Sequence, residues 1–474
     1  MKKKIFIILG VLVVSISLVL SFAFKKEYKK AIKETIIASE LPGGIMAYTL
    51  NGEKTSLTYN DLISNYVLDT ITCKNGTIAT FNKTDNSVNL SNIHMPDYCT
   101  MDFKEKPTIY SQILKNNPTI SERTDFSTTF TTTNTGTLYK STESIAGSTP
   151  KDVYYFAGNA TNNWVKFGKF STTVVRGFGS SQVYGESKDY NTMEECNIGT
   201  YLPVSKDYDY NHDCTYVQQE GSPIYWRIVR TNHDGSVRLL YSGISPDTTS
   251  AFIGMSSFNV TMNDPMHIGY MYGTSGTLAS NRTNKNNSTI KEIIDSWYST
   301  NLSSYTKYIS TEAVYCNDRK SPSYSASSKF DYYVLTRLNA ENPTYNCESS
   351  EDAFSGDNTD AKLIYPIGLM TADEITYSGG KYGKSLTRPY TWYYLNNAEE
   401  SITGSTYWWL LSPYFWDGVY ANSFILLGSD NPGNLNTGNV IFSSGVRPVI
   451  SIKENALYFK GDGSPENPYE IVYD

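Results

Sequence analysis

The strongest hydrophobic pattern in the chain is the stretch 407–452, YWWLLSPYFWDGVYANSFILLGSDNPGNLNTGNVIFSSGVRPVISI. Residues 407–411 are aromatic and apolar, 423–427 form a second apolar run, and 446–452 alternate. Runs of this length, bounded by turn residues, predict three strands on one core. Gly404, Gly418, Gly428, Gly433, Gly438 and Gly445, with Pro413 and Pro432, punctuate them.

Upstream, 153–156 and 164–167 are strand-like, and 225–230 with 237–241 predict a hairpin. In the hairpin Trp226 and Ile228 alternate with Arg227, Val229 and Arg230, and Asp234-Gly235 marks the turn. Two helices have start signals. Thr289-x-x-Glu292 reads as a capping box, with Ile290, Ile293, Ile294 and Trp297 following at helical spacing. Thr371-x-x-Glu374 opens a second, short helix that Gly379-Gly380 closes. Together these define a large domain, 152–474, with an insertion at about 169–224.

The N-terminal part reads differently. Lys2, Lys3 and Lys4 precede an apolar run over 5–24, which at about 1.5 Å per residue spans roughly 30 Å, one bilayer core. Residues 1–24 are therefore expected to be a signal anchor, or a signal peptide cleaved after Ala23. Residues 25–44 predict a juxtamembrane helix with Tyr28, Ala31, Ile32 and Ile36 on one face, stopped by Pro42, Gly43 and Gly44. Short strand patterns over 45–103, with Asn51-Gly52 and Asn75-Gly76 turns, predict a small β domain. Residues 104–151, with SERTDFSTTFTTTNTGTLYKSTESIAGSTP, read as an exposed Ser/Thr-rich linker.

Composition narrows the class. Of 474 residues only 18% are charged and 14% are aromatic, including 39 Tyr, so a β-rich α+β chain with many loops is expected. A net charge of −7 argues against nucleic acid as a partner. The six cysteines fall as Cys73 and Cys99, Cys196 and Cys214, Cys316 and Cys347, with no CxxC and no adjacent His. Disulfides are the favoured reading over a zinc site. If neighbours pair, each closes a loop of about 20–30 residues, worth roughly 3–4 kcal/mol; spacing leaves the connectivity open. The Lys cluster after the apolar run would, by itself, keep the body in the cytoplasm. The paired cysteines place it outside the cell instead, and they are given more weight.

The WWLLSP and GVRPVISI segments, with YFAGNATNNWVKFG and YWRIVRTNHDGSVRLLYSG upstream, resemble the C-type-lectin-like fold. The similarity is to the branch with formylglycine-generating enzymes and retroelement variable proteins, and above all to Gram-positive bacterial surface proteins. It implies a lectin-like domain whose last strand returns beside the first, an edge strand at 469–472, and a small Cys-bridged, immunoglobulin-like β module before it. In that branch the region around Tyr414, Trp416, Asp417, Tyr420 and Asn422 lies on the ligand-binding side, and aromatic faces beside amide and carboxylate groups suit a glycan or protein ligand. The implied role is a cell-surface adhesin.

Enzyme chemistry finds little footing. The oxidase reaction of the branch uses two cysteines near the C-terminal strands, and no Cys follows Cys347. No GxSxG, P-loop or HExxH occurs. His267 beside Asp264 is an isolated pair. No cofactor is expected. For calcium, Asp207, Asp209 and Asn211 start an EF-type loop, but His212 stands where Gly is needed and Gln218 where Glu is needed. Asp357, Asp360, Asp417 and Asp430 are loop carboxylates. A structural component of the cell envelope is the alternative to a binding protein.

Overall fold

A computed structural model describes residues 44–82, 84–94, 96–178, 187–198 and 213–473. The segment 1–43, with the expected anchor and nearly all of the juxtamembrane helix, lies outside them, as do Asp207, Asp209, Asn211 and His212. Among the described residues no helix is long and apolar enough to cross a membrane. The chain is β-rich and divides into two compact units, Met1–Pro107 and Thr108–Asp474.

The first unit is built on one mixed sheet in the order Glu53–Lys54, Gly44–Leu50, Asp97–Glu105, Tyr66–Cys73. Gly44–Leu50 runs parallel to Asp97–Glu105. A parallel pair needs a long crossover, here the helix Tyr59–Asn65, the strand Tyr66–Cys73 and the hairpin Ile78–Asn82 with Ser87–Ser91. Thr58 and Asp61 cap the helix reciprocally, and its Tyr59 and Leu62 join Met46, Met101 and Phe103 in the core. A helix packed on one mixed sheet is not an immunoglobulin-like sandwich. The Thr58-x-x-Asp61 box is the signal that separates the two.

Cys73 and Cys99 stand directly opposite each other on neighbouring strands and form a disulfide. Closing a loop of 26 residues contributes about 3.5 kcal/mol in the chain-entropy model, a large share for so small a core. The double variant Cys73→Ser, Cys99→Ser is expected to make this unit protease-labile at 37 °C. All seven Trp lie in the second unit, so the tryptophan unfolding transition should not move; a shifted transition with an intact first unit would count against this assignment.

The second unit carries an eight-stranded sheet. Its path is Gly368–Leu369, Pro448–Ile452, Val237–Tyr241, Pro223–Thr231, Lys151–Tyr155, Thr137–Glu143, Thr119–Glu122, with Trp164–Lys169 also on Pro223–Thr231. The strand Pro448–Ile452, from the end of the patterned stretch, pairs with the second strand of the hairpin. The tail docks at Trp164–Lys169, where Tyr469 N–H donates to Trp164 O (2.9 Å) and Lys166 N–H to Tyr469 O (2.9 Å). The helix Thr289–Asn301 starts at Ser288, whose side chain accepts from Lys291 N–H, one residue before the expected cap. Its Trp297 packs edge-on against Trp226 and Tyr241. The box at Thr371 and Glu374 forms as expected and opens the helix Ala372–Ser378.

The expected linker is part of this unit. Thr108 caps the helix Ile109–Asn116, whose Ile109 and Ile113 are buried, and Thr119–Glu122 and Thr137–Glu143 are sheet strands. Few apolar residues occur between 104 and 151, but Ile109, Ile113 and Leu138 all point inward. Composition averaged over the segment hides that placement. The insertion forms its own three-stranded sheet, Val174–Phe178, Ser187–Tyr190 and Asp213–Gln218, with the helix Met193–Ile198 and the Cys196–Cys214 disulfide. Arg176 ties it to the body through Asp189 and the carbonyls of Phe252 and Ile253.

Candidate functional site

A second sheet of six strands holds the predicted ligand loop. Its order is Met255–Ser256, Ser444–Gly445, Trp408–Trp416, Ala421–Leu426, Leu435–Asn439, with Phe330–Asp331 paired to Trp408–Trp416. The loop shrinks to the tight turn 417–420. Asp417 Oδ1 accepts from Val419 N–H (2.8 Å) and Tyr420 N–H (2.6 Å), and Asn422 Nδ2 donates to Tyr420 O (2.8 Å). These polar groups hold the turn in shape. Trp416 is only 2% exposed, because Phe330 pairs beside it and its indole N–H donates to Ala326 O (3.2 Å). Tyr414 is buried against Phe424 and Phe415, its hydroxyl touching that of Tyr382. Burial raises its pKa, and the Tyr382 hydroxyl adds to the rise. Trp416 and Tyr414 are thus core residues and Asn422 is buried; of the predicted set Tyr420 is the open side chain, at 42%.

Tyr420 has company that the sequence pattern concealed. Ala421 N–H donates to Met262 O (2.8 Å), Val440 N–H to Ala421 O (3.1 Å) and Asn259 N–H to Val440 O (3.0 Å). Three connections therefore meet at one end of the sheet. They carry Val260 (72% exposed), Val419, Tyr420, Ile441 and Phe442 (60%) in the open. Asn439 shapes the last of them, accepting from Phe442 N–H on its carbonyl and from Ile441 N–H on its side chain. Exposing large apolar groups forgoes about 25 cal/mol per Å² of burial, and a contiguous set of them marks a contact surface. The Ile441-Phe442 pair inside a glycine-rich connection is the signal that would have found it.

The other notable constellation is ionic and internal. Arg230 donates to Glu143 (2.8 Å) and Glu374 (2.9 Å), and Arg238 donates to the same Glu374 oxygen (2.5 Å). All four side chains are buried. Beside them Arg337 bridges Asp373 and Asp318. Burial would raise the Glu143 carboxyl, but Arg230 and His233 hold it well below the usual carboxylate range. Arg238 and Arg230 do the same for Glu374. At Asp318 burial prevails over Arg337 and raises the pKa.

The six cysteines form three disulfides in neighbour order, and none is free. Cys73, Cys99 and Asp97 lie together, but the sulfurs are bonded and both Asp97 oxygens accept backbone N–H groups from Asn75, Tyr98 and Thr77. Asp264 accepts from Met266 N–H (2.8 Å), and burial lowers the pKa of His267. Asp357 and Asp360 accept from Thr311 and Ser350 within their loops. No protein-family model, curated protein or solved structure matches the chain.

Proposed function

We propose that this chain is an exported, membrane-anchored bacterial surface protein. Its large unit, read as C-type-lectin-like, binds an extracellular glycan or protein at the end of the six-stranded sheet. The observation that carries this reading is the set of exposed apolar side chains, Val260, Val419, Tyr420, Ile441 and Phe442, on three connections joined by backbone hydrogen bonds. The three disulfides support an oxidising compartment. The apolar run over 5–24 supports export and anchoring. A second reading, a self-associating envelope component, draws on Ile78, Ile93 and Tyr98, which are exposed in the small unit.

The oxidised chain, applied to glycan and extracellular-matrix arrays with calcium and with chelator, is expected to give saturable binding. Loss with chelator would place a metal in the interface. Silence on every array from a folded protein contradicts the binding reading. Concentration-dependent self-association in sedimentation would then favour the envelope component.

A further inference from the structure

The ionic constellation encloses a cavity of about 20 Å³ between the strands Pro223–Thr231 and Val237–Tyr241, the segment 344–346 and the start of the helix Ala372–Ser378. A buried water needs about 10–15 Å³ and two to four polar partners. Two lining residues carry buried polar atoms with no hydrogen-bond partner among the described residues, Arg238 Nε and Tyr345 Oη. An unpaired buried donor carries its full desolvation cost, so such atoms are seldom left alone in a native fold. Both are donors, and the shared need is for an acceptor.

We propose that this cavity is a binding site for one ordered water molecule. The water accepts from Arg238 Nε–H and Tyr345 Oη–H and turns its own hydrogens toward the surrounding carboxylates. Charge decides between water and a small anion. Arg230, Arg238 and Arg337 face Glu143, Glu374, Asp318 and Asp373, so three cations already meet four acids. An added chloride would stand in an environment without surplus positive charge. The available space excludes anything much larger than water. The site gives Tyr345 a polar role beyond its stacking on Tyr377 (4.0 Å between centroids) and its place under the Arg230 guanidinium (4.5 Å). Through the water, the segment 344–346 is fastened to the hairpin beneath it.

The test is a crystal structure of the full oxidised chain at a resolution that defines solvent, alongside the Tyr345→Phe variant. The variant keeps the stacked ring and removes only the hydroxyl. The expected result is a single solvent peak within hydrogen-bond distance of Arg238 Nε and Tyr345 Oη, weakened or displaced in the variant. A cavity without a peak, or a peak touching neither atom, overturns the proposal. A bromide soak that places an anomalous signal there also overturns it, by making the site a halide site.

Discussion

Replacing Glu374 with Ala is expected to destabilise the large unit by about 4 kcal/mol, because it leaves buried cations without their counter-charge. The carboxylate is 1% exposed and takes Arg230 and Arg238 on one oxygen. Its other oxygen accepts Thr371 N–H (2.9 Å), closing the capping box of the helix Ala372–Ser378. Arg230 retains Glu143, whereas Arg238 retains only the Val314 carbonyl. Tryptophan-monitored urea unfolding reads the effect; a loss under about 1 kcal/mol, the scale of a surface pair, would contradict it. The same carboxylates set the acid limb. The pKa values of Glu143 and Glu374 lie lower in the folded chain than in the unfolded one. Their stabilisation is therefore present above the unfolded value of about 4.3 and is lost as pH falls toward the folded values. Asp318, raised by burial, works in the opposite direction. Glu143→Gln should make stability depend less steeply on pH below about 4.5.

The second large effect separates core from surface in the hairpin 408–426. Trp416→Ala is expected to cost about 3–5 kcal/mol, the usual range for emptying a buried aromatic site. The ring is buried against the strand Phe330–Asp331, and its N–H is satisfied by Ala326. Tyr420→Ala, four residues on, should stay within about 0.5 kcal/mol of the parent, since that side chain is largely exposed. Denaturation midpoints of the two variants check the pair. Equal midpoints would mean that Trp416 is not the core residue described above.

What the sequence pattern conveyed followed from period and capping. Thr371 and Glu374 marked a helix start, and neighbouring cysteines were the right partners. What it concealed followed from two-sided burial. Along Pro223–Thr231 the alternation of Trp226 and Ile228 with Arg227 and Arg230 suggests one wet face, yet both arginines are buried. Arg227 donates to Asn163 and the Ala160 carbonyl, Arg230 to two glutamates. These partners lie 64 to 144 residues away in sequence, except Glu143, 87 residues before Arg230. No local pattern reveals such pairings. The ligand loop shows the converse. Aromatic residues beside Asp417 and Asn422 suggested an open binding face, but strand pairing turns Tyr414 and Trp416 inward and the turn consumes the polar groups.

The surface at the end of the six-stranded sheet is the centre of this account, and affinity measured on matched variants tests it most directly. Once the arrays give a ligand, its dissociation constant should be determined for the parent chain and for Tyr420→Ala combined with Phe442→Ala. The account predicts binding at least about tenfold weaker in the double variant, as for loss of exposed aromatic anchors, with an unchanged unfolding midpoint. Unaltered affinity in a folded double variant would contradict it and move the binding surface elsewhere on the chain.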